Sequence, residues 1–259
     1  MNFNKKAITI TFGDQAENHV GMQQIGVKAN SGFSINEMNL AKQRFEQIGC
    51  VCELIKLNDA LPEGINADEA CVLVIRKGVD KILAGINSTA NAMFNEQNAL
   101  NTDKKALMYG RVVNKHARHN LCFADFSQEP DYENGLGRVV SFNDIPLTKK
   151  IRDDLPKYLG NKAQNLPAEG NFYFDSSKTG IGYHGDSERR IVIAARLGTS
   201  IPLVYNWFHN SQAIGQRVEL VLNHGDMYVM SEKAVGTDWK RKNIYTLRHA
   251  AGCEKYTKL

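Results

Sequence analysis

Between residues 190 and 248 the sequence breaks into five short stretches rich in β-branched and aromatic residues, at 190–197, 202–208, 216–222, 226–230 and 243–248. Gly, Asn, Ser or Pro turns separate them. Short runs recurring every roughly 8–12 residues are the pattern of a β-sandwich or barrel. The first half reads differently. Residues 7–12 alternate β-branched and small side chains and predict a strand closed by Gly13-Asp14; 51–57 and 71–76 predict two more. Ser34 and Glu37 have capping-box spacing, and behind them Met38, Ala41, Phe45 and Ile48 recur at helical period until Gly49. A polar helix is predicted over about 89–107 and a short one near 148–159. The expected fold class is α+β: a double-stranded β-helix (jelly-roll) core in the C-terminal half, with an α/β N-terminal region packed on it. The expected division is 1–125 for that region, 126–164 as a connecting segment richer in Pro, Asp, Asn and Gly, and 165–259 for the core.

Composition narrows the class. Of 259 residues 42% are hydrophobic, which is enough for a core and argues against a disordered chain. No apolar run approaches the ~20 residues of a membrane span, and Met1 to Lys6 lacks the apolar stretch of a signal peptide. The expectation is an intracellular protein, cytoplasmic or nuclear, with no membrane association and no obligate protein partner. Five cysteines, an odd number without a CxxC pair, fit free thiols in a reducing compartment; Cys50 and Cys52 lack the second cluster that zinc needs. A net charge of +4 permits a polyanionic partner without demanding one.

His184-Gly185-Asp186 carries the sharpest chemistry. Two residues apart on an extended segment, the imidazole and carboxylate share a face and can hold one metal ion. A later His would complete the 2-His-1-carboxylate triad of non-haem iron oxygenases. Alone, the same tripeptide also reads as a surface turn with an Asp cap. Around it stand Asn171-Phe172-Tyr173, Gly180-Ile181-Gly182-Tyr183, Arg196-Leu197-Gly198, the strand from Leu203 to Phe208, and Leu222 to Met230 with its His224-Gly225-Asp226 turn. Their order over residues 165–259 resembles the AlkB-type branch of the 2-oxoglutarate/Fe(II) dioxygenases, whereas 1–125 has no match there.

The resemblance implies an oxidoreductase that uses Fe(II), 2-oxoglutarate and O2 to oxidise a C–H bond, with no catalytic residues beyond the metal ligands. His184 and Asp186 would hold iron, and Asn171 and Tyr173 would hydrogen-bond 2-oxoglutarate. A turn residue and a core aromatic are the alternatives for that pair. His224 falls on a turn position. The distal histidine is where the sequence departs, because residues 235–242 contain none. In one register, Tyr245 to Arg248 matches the family's final strand. Arg248 then binds the cosubstrate, Lys242 replaces a second Arg, and the metal lacks its third ligand. In the other, the loop is longer, His249 is the distal ligand and Lys258 meets the far carboxylate of 2-oxoglutarate. The second is preferred, since two protein ligands hold Fe(II) weakly.

AlkB-type enzymes act mostly on alkylated bases, which implies a nucleic-acid or nucleotide substrate. Tyr109, Arg111, Lys115 and Arg118 combine cations with an aromatic, as phosphate contact and base stacking require; a solvated edge strand explains them too. Lys240-Arg241-Lys242 is a second basic segment. Asp14, Glu17, Asn18 and His19 read as a substrate-facing loop or as an Asx-type turn. Two alternatives stay open: the same chemistry on a protein or small molecule, or a non-enzymatic jelly-roll nucleic-acid-binding module with a degenerate metal site.

Overall fold

The computed structural model describes residues 3–259. In chain order the first half contains β1 (Ala7–Phe12), the hairpin β2 (Gln15–Glu17) and β3 (Gln24–Gly26), helix α1 (Ile35–Gln47), β4 (Val51–Lys56), β5 (Cys71–Arg76), helices α2 (Gly78–Leu83) and α3 (Ala90–Asn98), the hairpin β6 (Lys105–Met108) and β7 (Arg111–Asn114), β8 (His119–Ala124), β9 (Val139–Ser141) and helix α4 (Pro146–Leu159). The second half contains β10 (Ala168–Tyr173), β11 (Gly180–His184), β12 (Ile193–Gly198), β13 (Ile201–His209), β14 (Gln212–Leu222), β15 (Met227–Met230), the short α5 (Glu232–Val235), β16 (Thr246–Gly252) and α6 (Glu254–Thr257). No helix among the described residues is long and apolar enough to cross a membrane.

The fold is a mixed α+β arrangement dominated by two antiparallel sheets. The larger has the order β4-β5-β15-β12-β1-β10-β8-β9, antiparallel throughout except for the β8–β9 pair, and the smaller is β11-β16-β13-β14. Alternation along β1 explains its place in the middle of the large sheet. Ile8, Ile10 and Phe12 point to one face and join a core with Met38, Phe45, Met93 and Ile151 from the covering helices. Ala7, Thr9 and Thr11 point to the other face, toward the small sheet. With no charge and both faces buried, the strand suits a centre and not an edge. Strands from 1–125 and from 165–259 therefore share one sheet.

A second core fills part of the space between the sheets. It unites Val72, Val74 and Tyr228 of the large sheet with Leu203, Tyr205, Trp207 and Leu247 of the small one. Helix α1 carries the expected capping box: the Ser34 side chain accepts from the Glu37 N–H, and the Glu37 carboxylate accepts from the Ser34 N–H. The polar helix expected over 89–107 is shorter. It ends at Asn98, and residues 105–108 form β6. Asp103, five residues on, pairs with Asn120 in an antiparallel bridge, and its buried carboxylate accepts from Asn18, from the Tyr132 hydroxyl and from the Arg138 N–H. That network holds 99–104 out of a helix.

Candidate metal centre

β11 and β16 are antiparallel neighbours in the small sheet, and His184 lies directly opposite His249 in their register. Opposed residues on such strands face the same side, and here the two imidazole centroids are 4.5 Å apart. Asp186 closes the triangle. Its Oδ1 lies 3.5 Å from His184 Nε2 and 3.6 Å from His249 Nε2. One ligand atom from each of the three lies within 4.8 Å of the others.

Backbone geometry aims these groups. Gly185 runs so close to the neighbouring loop that a Cβ there would sit 2.1 Å from the Gly236 carbonyl oxygen. The Asp186 N–H donates to the Val235 carbonyl at 3.0 Å, fixing the backbone that delivers the carboxylate. His184 Nδ1 is 2.8 Å from the Gly182 carbonyl, a partner that suits an Nδ1–H donor and would leave Nε2, on the Asp186 side, to bind a metal.

The electrostatics favour the ligand forms. Burial would raise the Asp186 carboxyl, but Arg189 and the two imidazoles hold it well below the usual carboxylate range. Burial, reinforced by His184, lowers His249 and keeps it neutral. Arg189 is itself enclosed by carboxylates, with Glu169 at 2.5 Å, Glu188 at 2.7 Å and Asp186 at 3.7 Å.

The triad lines a cavity of about 820 Å³ between the sheets. One wall is a pair of cross-strand rows on the large sheet. Asn171, Thr9 and Arg196 form the first, and Glu169, Thr11, Ala194 and Tyr228 the second. Val192, Leu203, Met230 and Ala251 supply apolar lining. At the mouth, Trp239 Nε1 donates to the Ser187 hydroxyl at 2.9 Å.

Several buried polar atoms have no hydrogen-bond partner: Thr9 Oγ1, Arg196 Nε and Nη1, and His249 Nδ1. All three residues line this cavity. Unpaired buried donors are costly, and Thr9 and Arg196 are opposite one another in the register, so the two mark a place for a polar ligand.

The expected site residues divide. His184, Asp186 and His249 come together, and Asn171 and Tyr173 line the cavity beside them. The Asn171 amide is already engaged, accepting from Arg118 Nε and from Asn120, and donating to Glu169. Arg248 does not reach the cavity. Side chains alternate along β16, so with His249 inward it faces outward, its guanidinium 4.1 Å over the Phe208 ring and 5.2 Å from the Trp239 ring. Lys258 lies exposed beyond α6, away from the lining.

Of the four expected substrate contacts, only Arg118 borders the cavity. Tyr109 and Arg111 stand exposed at the tip of the β6–β7 hairpin. Lys115 turns inward, donating to Asn18 and to Asn120; burial pulls it down to about 8. Glu17, Asn18 and His19 line the cavity, whereas Asp14 is structural and accepts from the N–H groups of Ala29, Arg190 and Ile191. Lys240 lines the mouth. His224 sits in a turn, where its Nδ1 accepts from the Gly198 N–H.

Arg196 is the residue to which the sequence reading gave no role. Its signal was a single cation inside the otherwise apolar stretch 191–197. No family model matches the sequence. Over 257 residues the chain is 48% identical to an uncharacterized protein of Acanthamoeba polyphaga mimivirus, a match covering 98% of each. The chain belongs to the same family as that viral protein.

Proposed function

We propose that this chain is an Fe(II)- and 2-oxoglutarate-dependent oxygenase of AlkB-like type on a double-stranded β-helix. The observation that carries the reading is the convergence of His184, Asp186 and His249 on one point of a large interior cavity. Two imidazole nitrogens and one carboxylate oxygen are the donor set of the iron facial triad, and such a set leaves further coordination positions free. The strand order supports the scaffold: β11-β16-β13-β14 faces the central strands β10-β1-β12-β15 as two four-stranded layers. The unpartnered donors in the cavity suit a small polar cosubstrate.

When bound, iron and 2-oxoglutarate supply the oxidation of a C–H bond by O2. The protein's own groups prepare for it. The Gly182 carbonyl suits the Nδ1–H tautomer of His184, and Arg189 keeps Asp186 ionised. Trp239 lines the cavity beside the triad, and Val192, Leu203, Met230 and Ala251 give it an apolar part that would disfavour water there.

Substrate preference follows from the carboxylates that line the cavity beside the triad. Glu17, Glu169 and Glu188 line it, against Arg118 and the already neutralised Arg189. Burial pushes Glu17 up to about 7, with Glu188 and Glu169 adding to the rise. Both Glu169 oxygens are taken, but Glu17 and Glu188 each have one oxygen in use, on the Gly21 N–H and on Arg189, and the other is left to accept, so the group that enters carries N–H donors. The amino edge of a nucleobase and the ammonium of a lysyl side chain share that chemistry. Lys240 and Arg118 are the cations at hand for a phosphate.

Succinate release from 2-oxoglutarate with Fe(II) and O2 tests the reading, run alone, with methylated oligonucleotides and with basic peptides. Turnover stimulated by oligonucleotide supports a nucleic-acid substrate, and stimulation by peptide assigns the same chemistry to protein. No succinate under any of these conditions contradicts the oxygenase.

A further inference from the structure

Arg196 is fully buried on β12, with Nε and Nη1 unpartnered, and no carboxylate lies within ion-pair range of it among the described residues. A buried guanidinium in that state is strongly unfavourable unless an anion meets it. Its surroundings lack one. Thr9 of β1 is directly opposite in the strand register, also buried, and its hydroxyl also has no partner. The Tyr228 hydroxyl adjoins the guanidinium from β15. All three residues face the cavity that holds the His184, Asp186 and His249 cluster.

We infer that Arg196 and Thr9 form a carboxylate seat, the place where the far carboxylate of a small dicarboxylate such as 2-oxoglutarate is bound. A guanidinium presents parallel N–H donors that match a carboxylate, and a threonine hydroxyl adds a third donor from the neighbouring strand. The other cations are placed differently. Arg189 is enclosed by three carboxylates, Arg118 has its Nε on Asn171, Lys240 is exposed, Arg248 stacks outside the cavity, and Lys258 lies exposed beyond it, so Arg196 is the cation of the lining that is both buried and without an anion.

The seat has a consequence for the N-terminal strand. β1 inserts between β10 and β12, so Thr9, near the start of the chain, completes a site whose other parts lie after residue 165. The choice of 2-oxoglutarate rests on the oxygenase reading. The anion seat rests on Arg196 itself.

Calorimetric titration of the full-length protein with succinate and with 2-oxoglutarate tests this, metal-free and loaded with Mn(II). Succinate lacks the keto group, so it reports the seat without help from chelation. Arg196→Gln is expected to weaken succinate roughly tenfold to a hundredfold, the loss of charge-assisted hydrogen bonds. Thr9→Val is expected to weaken it about threefold to tenfold with the fold intact. Arg248→Ala and Lys258→Ala are expected to bind as wild type.

Wild-type affinity in Arg196→Gln, or lost affinity in Lys258→Ala or Arg248→Ala, overturns the seat. Should Arg196→Gln fail to fold, Thr9→Val decides: unchanged succinate affinity there rejects the seat. A protein that binds succinate through Arg196 but takes up no metal keeps the seat and loses the oxygenase. One that binds metal and 2-oxoglutarate with the same affinity in Arg196→Gln keeps the oxygenase and loses the seat.

Discussion

At the scale of single residues, the cavity combines groups that want opposite things from their surroundings. Arg196 lacks an anion, while Glu17 on the facing side carries a carboxyl that burial keeps protonated to about pH 7. The Glu17 shift has a stability consequence whose sign is fixed. An acid with a raised folded value stabilises the fold only while protonated, so stability falls as pH rises from its ordinary value of 4.5 through about 7. Glu17→Gln keeps an acceptor for the Gly21 N–H and removes that loss. Denaturant unfolding should find the variant more stable than wild type at pH 8, by about 1–2 kcal/mol given partial solvent screening, and equal to it near pH 4. An equal difference at both pH values would show that ionisation of Glu17 is not the cause.

Residue chemistry was partly legible before the structure. His184 and Asp186 stand two apart, so the period of an extended chain brings them together. In one register Arg248 bound the cosubstrate and the metal lacked a third ligand, and in the other His249 was that ligand; the pleat of β16 turns His249 toward His184 and Asp186 and Arg248 away. Arg196 was read only as part of the Arg196-Leu197-Gly198 strand motif, because its meaning depends on what is missing around it. A lone Arg in an apolar strand looks the same in sequence whether or not a carboxylate lies opposite.

At the scale of elements, the centre is a product of strand register and one close approach of backbones. β11 opposes His184 to His249, and the contact of Gly185 with the Gly236 loop places Asp186 beside them. Gly185→Ala tests that approach. The added Cβ would collide with the Gly236 carbonyl and approach the Trp239 Cβ to 2.8 Å. We expect a loss of about 1–3 kcal/mol of stability and a metal affinity lower by roughly tenfold or more. Both are measurable on one preparation, by denaturant unfolding and metal titration. Unchanged metal affinity would mean that Asp186 does not depend on this approach.

Element types were readable where signals are local. The capping box starts α1 at Ile35, and the alternating stretch at the N-terminus is a strand at Ala7–Phe12. The short stretches after residue 190 are strands, extended at several ends. The long polar helix was overread because Asn and Gln give no periodic warning that Asp103 is claimed by partners at Asn18, Tyr132 and Arg138.

At the scale of the whole molecule, strand order was the part sequence could not give. Patterning says that β1 has two buried faces, but not that its neighbours are β10 and β12, more than 150 residues away. Such pairing is decided by shape across the finished sheet. A separate test follows from it. Residues 165–259 expressed alone lack β1 and expose the paired edges of β10 and β12, so that fragment is expected to remain unfolded by circular dichroism and proton NMR. A cooperative unfolding transition in the fragment would make the N-terminal half dispensable for the core.

The central claim is that His184, Asp186 and His249 hold one metal ion. Anaerobic titration of Fe(II) into the full-length protein and into His249→Ala tests it most directly. The account predicts one equivalent bound by the wild type and at least roughly a hundredfold weaker binding in the variant, because a two-ligand site retains little affinity. Equal Fe(II) binding by both proteins, or none by the wild type, would contradict it.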